Sequence, residues 1–218
     1  MGTAMTTSST DRTVDDRDLT AKARIRNAAL DLFAENGPDA VSLRSVGAAA
    51  GVAHGLVVHH YQTKIGLQEA VEQYIIDRFA HALGEVPADL TAAEVARLRD
   101  AQVNEMLRTQ PAIVDYMRRA LLTPSSTSSF ADKLIALTVP RVRELREASV
   151  ASVEKPECVQ VTELLVRYLG TLFLNPMVDK FWGPLERMEL DIPADDPAIA
   201  KPIIDVRVRR VADGAASN

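Results

Sequence analysis

Cysteine is nearly absent from this chain: Cys158 is the only thiol among 218 residues. An intramolecular disulfide is excluded, no CxxC pair is available, and the usage suits a reducing compartment in which Cys158 is read as a small buried hydrophobe. Aromatic residues are also scarce, at 5%, while alanine, leucine, valine and arginine are common, a balance that favours helix over sheet. No apolar run is long and charge-free enough to span a bilayer, and the polar opening MGTAMTTSSTDRTVDDRDLT lacks the apolar middle of a secretory signal. These absences predict an all-α protein of the cytoplasm with no membrane partner. The length suffices to bury a core without disulfides, so no structural metal is required.

The net charge of -5 argues against a nonspecific coat for nucleic acid, but it is unevenly spread. From Thr20 to Lys64 five cations, Lys22, Arg24, Arg26, Arg44 and Lys64, face three carboxylates, Asp31, Glu35 and Asp39, for a local charge of +2. The chain after Lys64 is net acidic. An electropositive N-terminal module is thus joined to an acidic body.

Residues 1–17 are polar without apolar period and read as a disordered tail. Residues 18–66 change character, with a connecting helix continuing to about residue 83, and residues 84–218 form a second, C-terminal domain. Ile25, Ala28, Ala29, Leu32 and Phe33 recur at helical spacing, and Gly37 with Pro38 ends that helix. Ser42 caps a short helix carrying Val46, Gly47 and Ala50, which Gly51 terminates by taking a positive φ. A third short helix then turns Val57 and Tyr61 inward and His54, Gly55, Leu56, Val58 and His59 outward. Thr63 caps a fourth, longer one. Further helices are expected at 92–109, 111–122, 129–152, where Pro140 kinks or divides the helix, and 157–175. The last is apolar around much of its circumference and must be covered on two sides, by the chain's own core and by a second copy. Within it Gly170 allows either close helix approach or a packing accommodation, and Glu163 and Arg167 form an i, i+4 pair. The segment after Trp182 is read as a helix or arm.

Three of the four histidines, His54, His59 and His60, fall within AGVAHGLVVHHYQTK. Metal binding would need them to converge, yet adjacent His59 and His60 diverge by about 100° on a helix. Hydrolysis fares no better, since neither Ser42 nor Ser45 stands in a GxSxG elbow. No metal, cofactor or catalytic residue is therefore expected. Two short helices about a tight glycine turn, braced by a longer first helix, instead make a helix-turn-helix, whose second helix enters the DNA major groove.

The segment RIRNAALDLFAENGPDAVSLRSVGAAAGVAHGLVVHHYQTKIGL resembles the N-terminal domain of the TetR family of bacterial transcriptional regulators. AALDLFAENG, the S-L-R-x-V-x-x-x-A-G-V run, Gly55, the His-His-Tyr block and Lys64 before Gly66 and Leu67 carry the likeness. It implies a homodimeric, ligand-responsive repressor or activator, not an enzyme, with repression the first expectation: a protein that leaves a near-palindromic operator when its C-terminal ligand-binding and dimerisation domain takes up a small effector. It also implies phosphate contacts from Ser42 and Lys64, base-edge positions for Arg44, His54 and Gly55, and backbone contacts from His59 and His60. The competing reading is a helical small-molecule-binding or enzymatic protein that shares only the three-helix module.

The effector site is sought among Met106, Tyr116, Phe130, Tyr168, Phe173 and Trp182, large residues able to line a cavity, although core packing is the commoner role for any one of them. Asp115, Arg118, Arg167 and Asn175 are the polar anchors considered. Apolar candidates outnumber charged ones, which points to a moderately hydrophobic ligand.

Three positions depart from the family pattern: Ala53 in place of a hydroxyl cap, Leu56 in place of a small polar residue, and Val58 in place of tyrosine. Each lost neutral donor weakens binding by about 1 kcal/mol, whereas apolar Leu56 and Val58 suit thymine methyl groups. Leu56→Asn and Val58→Tyr should therefore shift both affinity and sequence preference in footprinting; unchanged footprints would show that neither side chain reads DNA.

Overall fold

The computed structural model describes residues 21–84, 90–123, 128–149, 151, 153–187, 204 and 206. All regular structure among them is helical: α1 Ala21–Asn36, α2 Leu43–Ala49, α3 His54–Tyr61, α4 Lys64–Ala82, α5 Ala92–Thr109, α6 Pro111–Leu122, α7 Phe130–Glu147 and α8 Glu157–Arg187. The all-α expectation holds. The expected tail at residues 1–17, and nearly all of the segment after Trp182 beyond Arg187, lie outside the described residues.

The chain forms two compact units, one from Met1–Gly84 with Ala101–Lys133 and the other from Glu85–Asp100 with Leu134–Asn218. In the first, α1 packs on α2, α4 and α6. Its buried stripe is Ile25, Ala29 and Phe33 with Leu30 and Ala34, while Ala28 and Leu32 are only half-buried. The stripe is turned from the sequence expectation because α6 lies against the flank that carries Leu30 and Ala34. Arg119 of α6 completes that contact, donating through Nε to the Ala34 carbonyl at 2.7 Å and through Nη2 to that of Glu35 at 2.5 Å. These carbonyls lie in the last turn of α1, where the helix has no partners of its own for them.

A buried charge ties together the remainder of this unit. Glu72 on α4 is 1% exposed. Its carboxylate accepts from Tyr116 Oη at 3.0 Å, Ser128 Oγ at 2.9 Å, Ser129 Oγ at 3.1 Å, Lys133 Nζ at 2.8 Å and Gln68 Nε2 at 3.3 Å. Burial by itself would raise the carboxyl's pKa, but the hydrogen bonds from Lys133, Ser128 and Tyr116 and the Lys133 charge outweigh it and hold the group below the usual carboxylate value. Burial and the neighbouring Glu72 charge push the Tyr116 hydroxyl up, so it stays protonated as a donor. Tyr116 also meets Phe130 edge to face, with ring centres 5.9 Å apart.

In the second unit α7 and α8 are joined by ion pairs and a braced turn. Arg143 pairs with Glu157 at 2.8 Å, and Arg146 donates to the Lys155 carbonyl at 2.9 Å and to Gln160 Oε1 at 2.7 Å. Several expectations are corrected here. Pro140 does not divide α7: it is exposed, as is Ala136, whose carbonyl loses its amide partner to the proline and can turn to water. α7 ends at Glu147 rather than 152, at a turn in which Ser149 takes φ of 57°. α8 runs on to Arg187 through exposed Pro176 and Pro184 instead of stopping at residue 175. Cys158 is exposed rather than buried, because it sits in the first turn of α8. Glu163 pairs with Lys155 at 3.0 Å, not with Arg167. Gly170 is a packing accommodation, since a Cβ there would stand 2.8 Å from Val206 Cγ2.

The Glu72 cluster makes a stability prediction. A depressed carboxyl contributes stability above its unfolded value of 4.5 and loses it as pH falls through the folded one. Glu72→Gln should lower the urea unfolding free energy at neutral pH by roughly 3 kcal/mol, by stranding Lys133, and should flatten the decline of stability below about pH 4.5. Identical acid limbs for the variant and the parent would exclude the cluster as their cause.

Candidate nucleic-acid interface

The outward face of α3 exists because its inward face is fully committed. Val57 is 0% and Tyr61 7% exposed. The Tyr61 hydroxyl donates to the Lys22 carbonyl of α1 at 2.6 Å, and the Lys22 ammonium lies 5.9 Å from the Tyr61 ring centre. Rotating α3 would expose the valine and break that bond. With Val57 and Tyr61 inside, His54, Gly55, Val58 and His59 are exposed, while Leu56 and His60 are half-buried.

The turn before α3 follows the pattern read from sequence. Ser42 caps α2, its Oγ accepting the Ser45 amide at 3.0 Å while the Ser42 amide donates to Ser45 Oγ at 3.1 Å. Gly51 takes φ of 65°. Arg44 is exposed in the first turn of α2. Ala53, at the cap position of α3, supplies no side-chain bond.

After α3 the chain reverses through Gln62 at φ 61°, a left-handed conformation unusual for a residue with a side chain. That reversal sets Thr63 as the cap of α4, with Oγ1 accepting from the Gly66 amide at 2.9 Å. Lys64 opens α4, and its Nζ donates to the Asp39 carbonyl at 3.1 Å, linking the start of α4 to the α1–α2 loop. An ammonium has three protons, so this bond leaves two for another acceptor. Arg26 lies 3.9 Å from the Tyr74 ring centre, stacking α1 on α4 beneath the same region. The turn at Gln62 carried no signal in the sequence, and Asp39 and Tyr74, read only as a local charge and as part of a helical period, act here through contacts remote along the chain.

The sequence of residues 25–71 matches the family model described as bacterial regulatory proteins, tetR family. The N-terminal domain belongs to the TetR family. Over 60 residues the chain is 45% identical to the HTH-type transcriptional regulatory protein RaaS of Mycobacterium tuberculosis, covering 28% of each chain. Over 69 residues it is 45% identical to the HTH-type transcriptional repressor Rv3405c of the same species, 31% of this chain and 37% of that one. The matched stretch thus spans about a third of these curated relatives. Solved structures extend the likeness of fold further. A TetR-family regulator from Shewanella sp. PV-4 superposes with a TM-score of 0.60 at 21% identity, over 77% of this chain and 91% of that one. CprB of Streptomyces coelicolor does so with a TM-score of 0.55 at 19% identity, over 69% and 78%.

Beyond the TetR-type helix-turn-helix, the residues considered for an effector divide between the units. Met106, Tyr116 and Phe130 are buried in the first, with Tyr116 engaged by Glu72. Tyr168, Phe173 and Trp182 are half-buried along α8 in the second. An open cavity of about 370 Å³ in the second unit is lined by Val142, Leu145, Ala151, Lys155, Gln160, Glu163, Leu164, Arg167 and Val206, and none of those six is in its wall. Of the polar anchors, Arg167 lines this cavity, Asn175 accepts from the Ile204 amide at 3.4 Å, and Asp115 pairs with Arg118 at 2.7 Å. No group of three or more His, Cys, Asp or Glu that could hold a metal occurs among the described residues.

Proposed function

We propose that this protein is a cytoplasmic, homodimeric transcriptional regulator that binds near-palindromic operator DNA, and that it acts as a repressor released by a small, moderately hydrophobic effector. The reading rests above all on the outward face of α3, where His54, Gly55, Val58 and His59 stand exposed, in a helix-turn-helix of TetR type flanked by Arg44 and Lys64. The relatives of this domain carry the names of transcriptional regulators, one of them a repressor, and not of enzymes. In this reading Ser42 and Lys64 grip phosphates, Arg44, His54 and Gly55 meet base edges, Leu56 and Val58 meet thymine methyls, and His59 and His60 follow the backbone.

The dimer reading is supported by α8. Val166, Leu174, Met177, Phe181 and Leu185 are 39–63% exposed and fall within an arc of about 100° on a helix of 3.6 residues per turn. Exposed apolar side chains gathered on one side of a helix are stabilised when a second copy covers them. For the effector, the open cavity combines apolar walls from Val142, Leu145 and Leu164 with a polar rim in which Lys155 is paired with Glu163, and it suits a moderately hydrophobic ligand with a polar end.

The test is a gel-shift titration of DNA from the protein's own promoter region across a salt series. A specific complex should weaken linearly in log salt. Lys64→Ala should reduce the slope by about one, whereas Arg44→Ala should reduce discrimination between operator and scrambled DNA by about 1–3 kcal/mol. Absence of any saturable complex at low salt would overturn the regulator reading.

A further inference from the structure

Arginine carries its N–H donors in a rigid plane, and the edge formed by Nε and Nη2 matches the two oxygens of a carboxylate. Several arginines here fill that edge from within the chain. Arg108 closes it on Glu105 at 2.8 and 2.7 Å, and Arg143 on Glu157 at 3.0 and 2.8 Å. Arg119 closes it on the carbonyls of Ala34 and Glu35. All three residues are exposed, where water would serve the same donors.

Arg99, on the part of α5 that belongs to the second unit, is the reverse case. Its side chain is only 17% exposed, and its Nε is buried with no acceptor among the described residues. No described residue accepts from Nη2 either. The contact it does make is end-on: Nη1 donates to Glu144 Oε2 of α7 at 3.3 Å. That carboxylate is already held by Arg141, whose Nη1 reaches its two oxygens at 2.8 and 3.0 Å. Two guanidinium groups therefore share one carboxylate, which leaves an excess of positive charge. Asp100, the next residue, is turned about 100° around the helix and is exposed.

A guanidinium in this condition lacks both an acceptor and a counter-charge. A neutral acceptor supplies the first alone, whereas an anion supplies both. A single excess charge calls for a monoanion, and a flat two-donor edge calls for two coplanar oxygens, which together describe a carboxylate.

We propose that the Nε–Nη2 edge of Arg99 is a receptor for the carboxylate of a small organic acid, gripped through two parallel hydrogen bonds while Nη1 keeps its contact with Glu144. The place is distinct from the open cavity of the same unit, since Arg99, Arg141 and Glu144 are not in that cavity's wall. Glu144 points at least about 100° around α7 from Val142 and Leu145, which are. The receptor therefore goes beyond the effector reading and stands whether or not the chain binds DNA.

Titration calorimetry and thermal unfolding of the full chain, at fixed pH and ionic strength, compare propionate, hexanoate and benzoate with their amides. The acids are expected to bind saturably and to raise Tm, and the amides to bind at least about tenfold more weakly. Arg99→Gln should weaken acid binding at least about tenfold, and Arg99→Lys, which keeps the charge without the fork, should fall between the two. Without ligand, Arg99→Gln should unfold at the parental Tm or above it, because Glu144 retains Arg141. A lower Tm would show that the guanidinium is satisfied inside the protein and would overturn the proposal. Equal binding of acids and amides, no saturable acid binding, or undiminished acid affinity in Arg99→Gln would each overturn it as well. Inorganic phosphate bound as tightly as the acids would overturn the carboxylate assignment in favour of a general anion site.

Discussion

Burying a carboxylate without partners is prohibitive, and the first unit is organised around satisfying one. Glu72 is almost fully enclosed, and its donors come from α4 itself, from α6 and from the segment that begins α7. An ion pair in such a place is weak evidence for net stability, because desolvation offsets much of the attraction. What it supplies is geometry. Tyr116, Ser128, Ser129 and Lys133 satisfy the charge only when three separate stretches of chain are in register, and an arrangement that misplaces one leaves a buried charge short of a partner.

The same unit contains the seat of α3. α3 has only eight residues, too few to persist alone in water, so its position is dictated by Val57, Tyr61 and the bond to the Lys22 carbonyl. α1, which supplies that carbonyl, is held at its other end by Arg119 of α6. The exposed face of α3 is therefore defined by helices that themselves lie elsewhere in the first unit, and its outward side chains need contribute nothing to the fold. That division of labour is why His54, Gly55, Val58 and His59 could be solvent-facing in a domain whose core is otherwise closely packed.

Much of this arrangement was legible from residues alone. Ser42, Gly51 and Thr63 punctuate the helix-turn-helix through local backbone chemistry, and apolar period marks α4, so both could be read without tertiary knowledge. The bounds of α5 and α6 follow from Pro111, which begins one helix as it ends the other. What escaped was whatever depends on contacts distant along the chain. Glu72 looks like a surface charge beside Val71, and nothing local announces Lys133 as its partner. Leu30 is buried because α6 happens to cover it. Pro140 reads as a kink or a division, but on an exposed flank the carbonyl freed by a proline can be hydrated, and α7 continues past it as α8 does past Pro176 and Pro184. For the interface, the identity of the outward residues was readable from the inward pair Val57 and Tyr61; the engagement of Lys64 with Asp39 was not, since it joins a side chain to a carbonyl in another loop.

The exposed position of Cys158 carries a practical consequence. It is the only thiol in the chain, it opens toward solvent in the first turn of α8, and it belongs to the second unit while every residue assigned to DNA lies in the first. A maleimide-linked fluorophore or spin label would therefore attach at one defined place without prior mutagenesis, leaving the exposed face of α3 chemically untouched. The molecule thus comes with its own spectroscopic handle on the second unit.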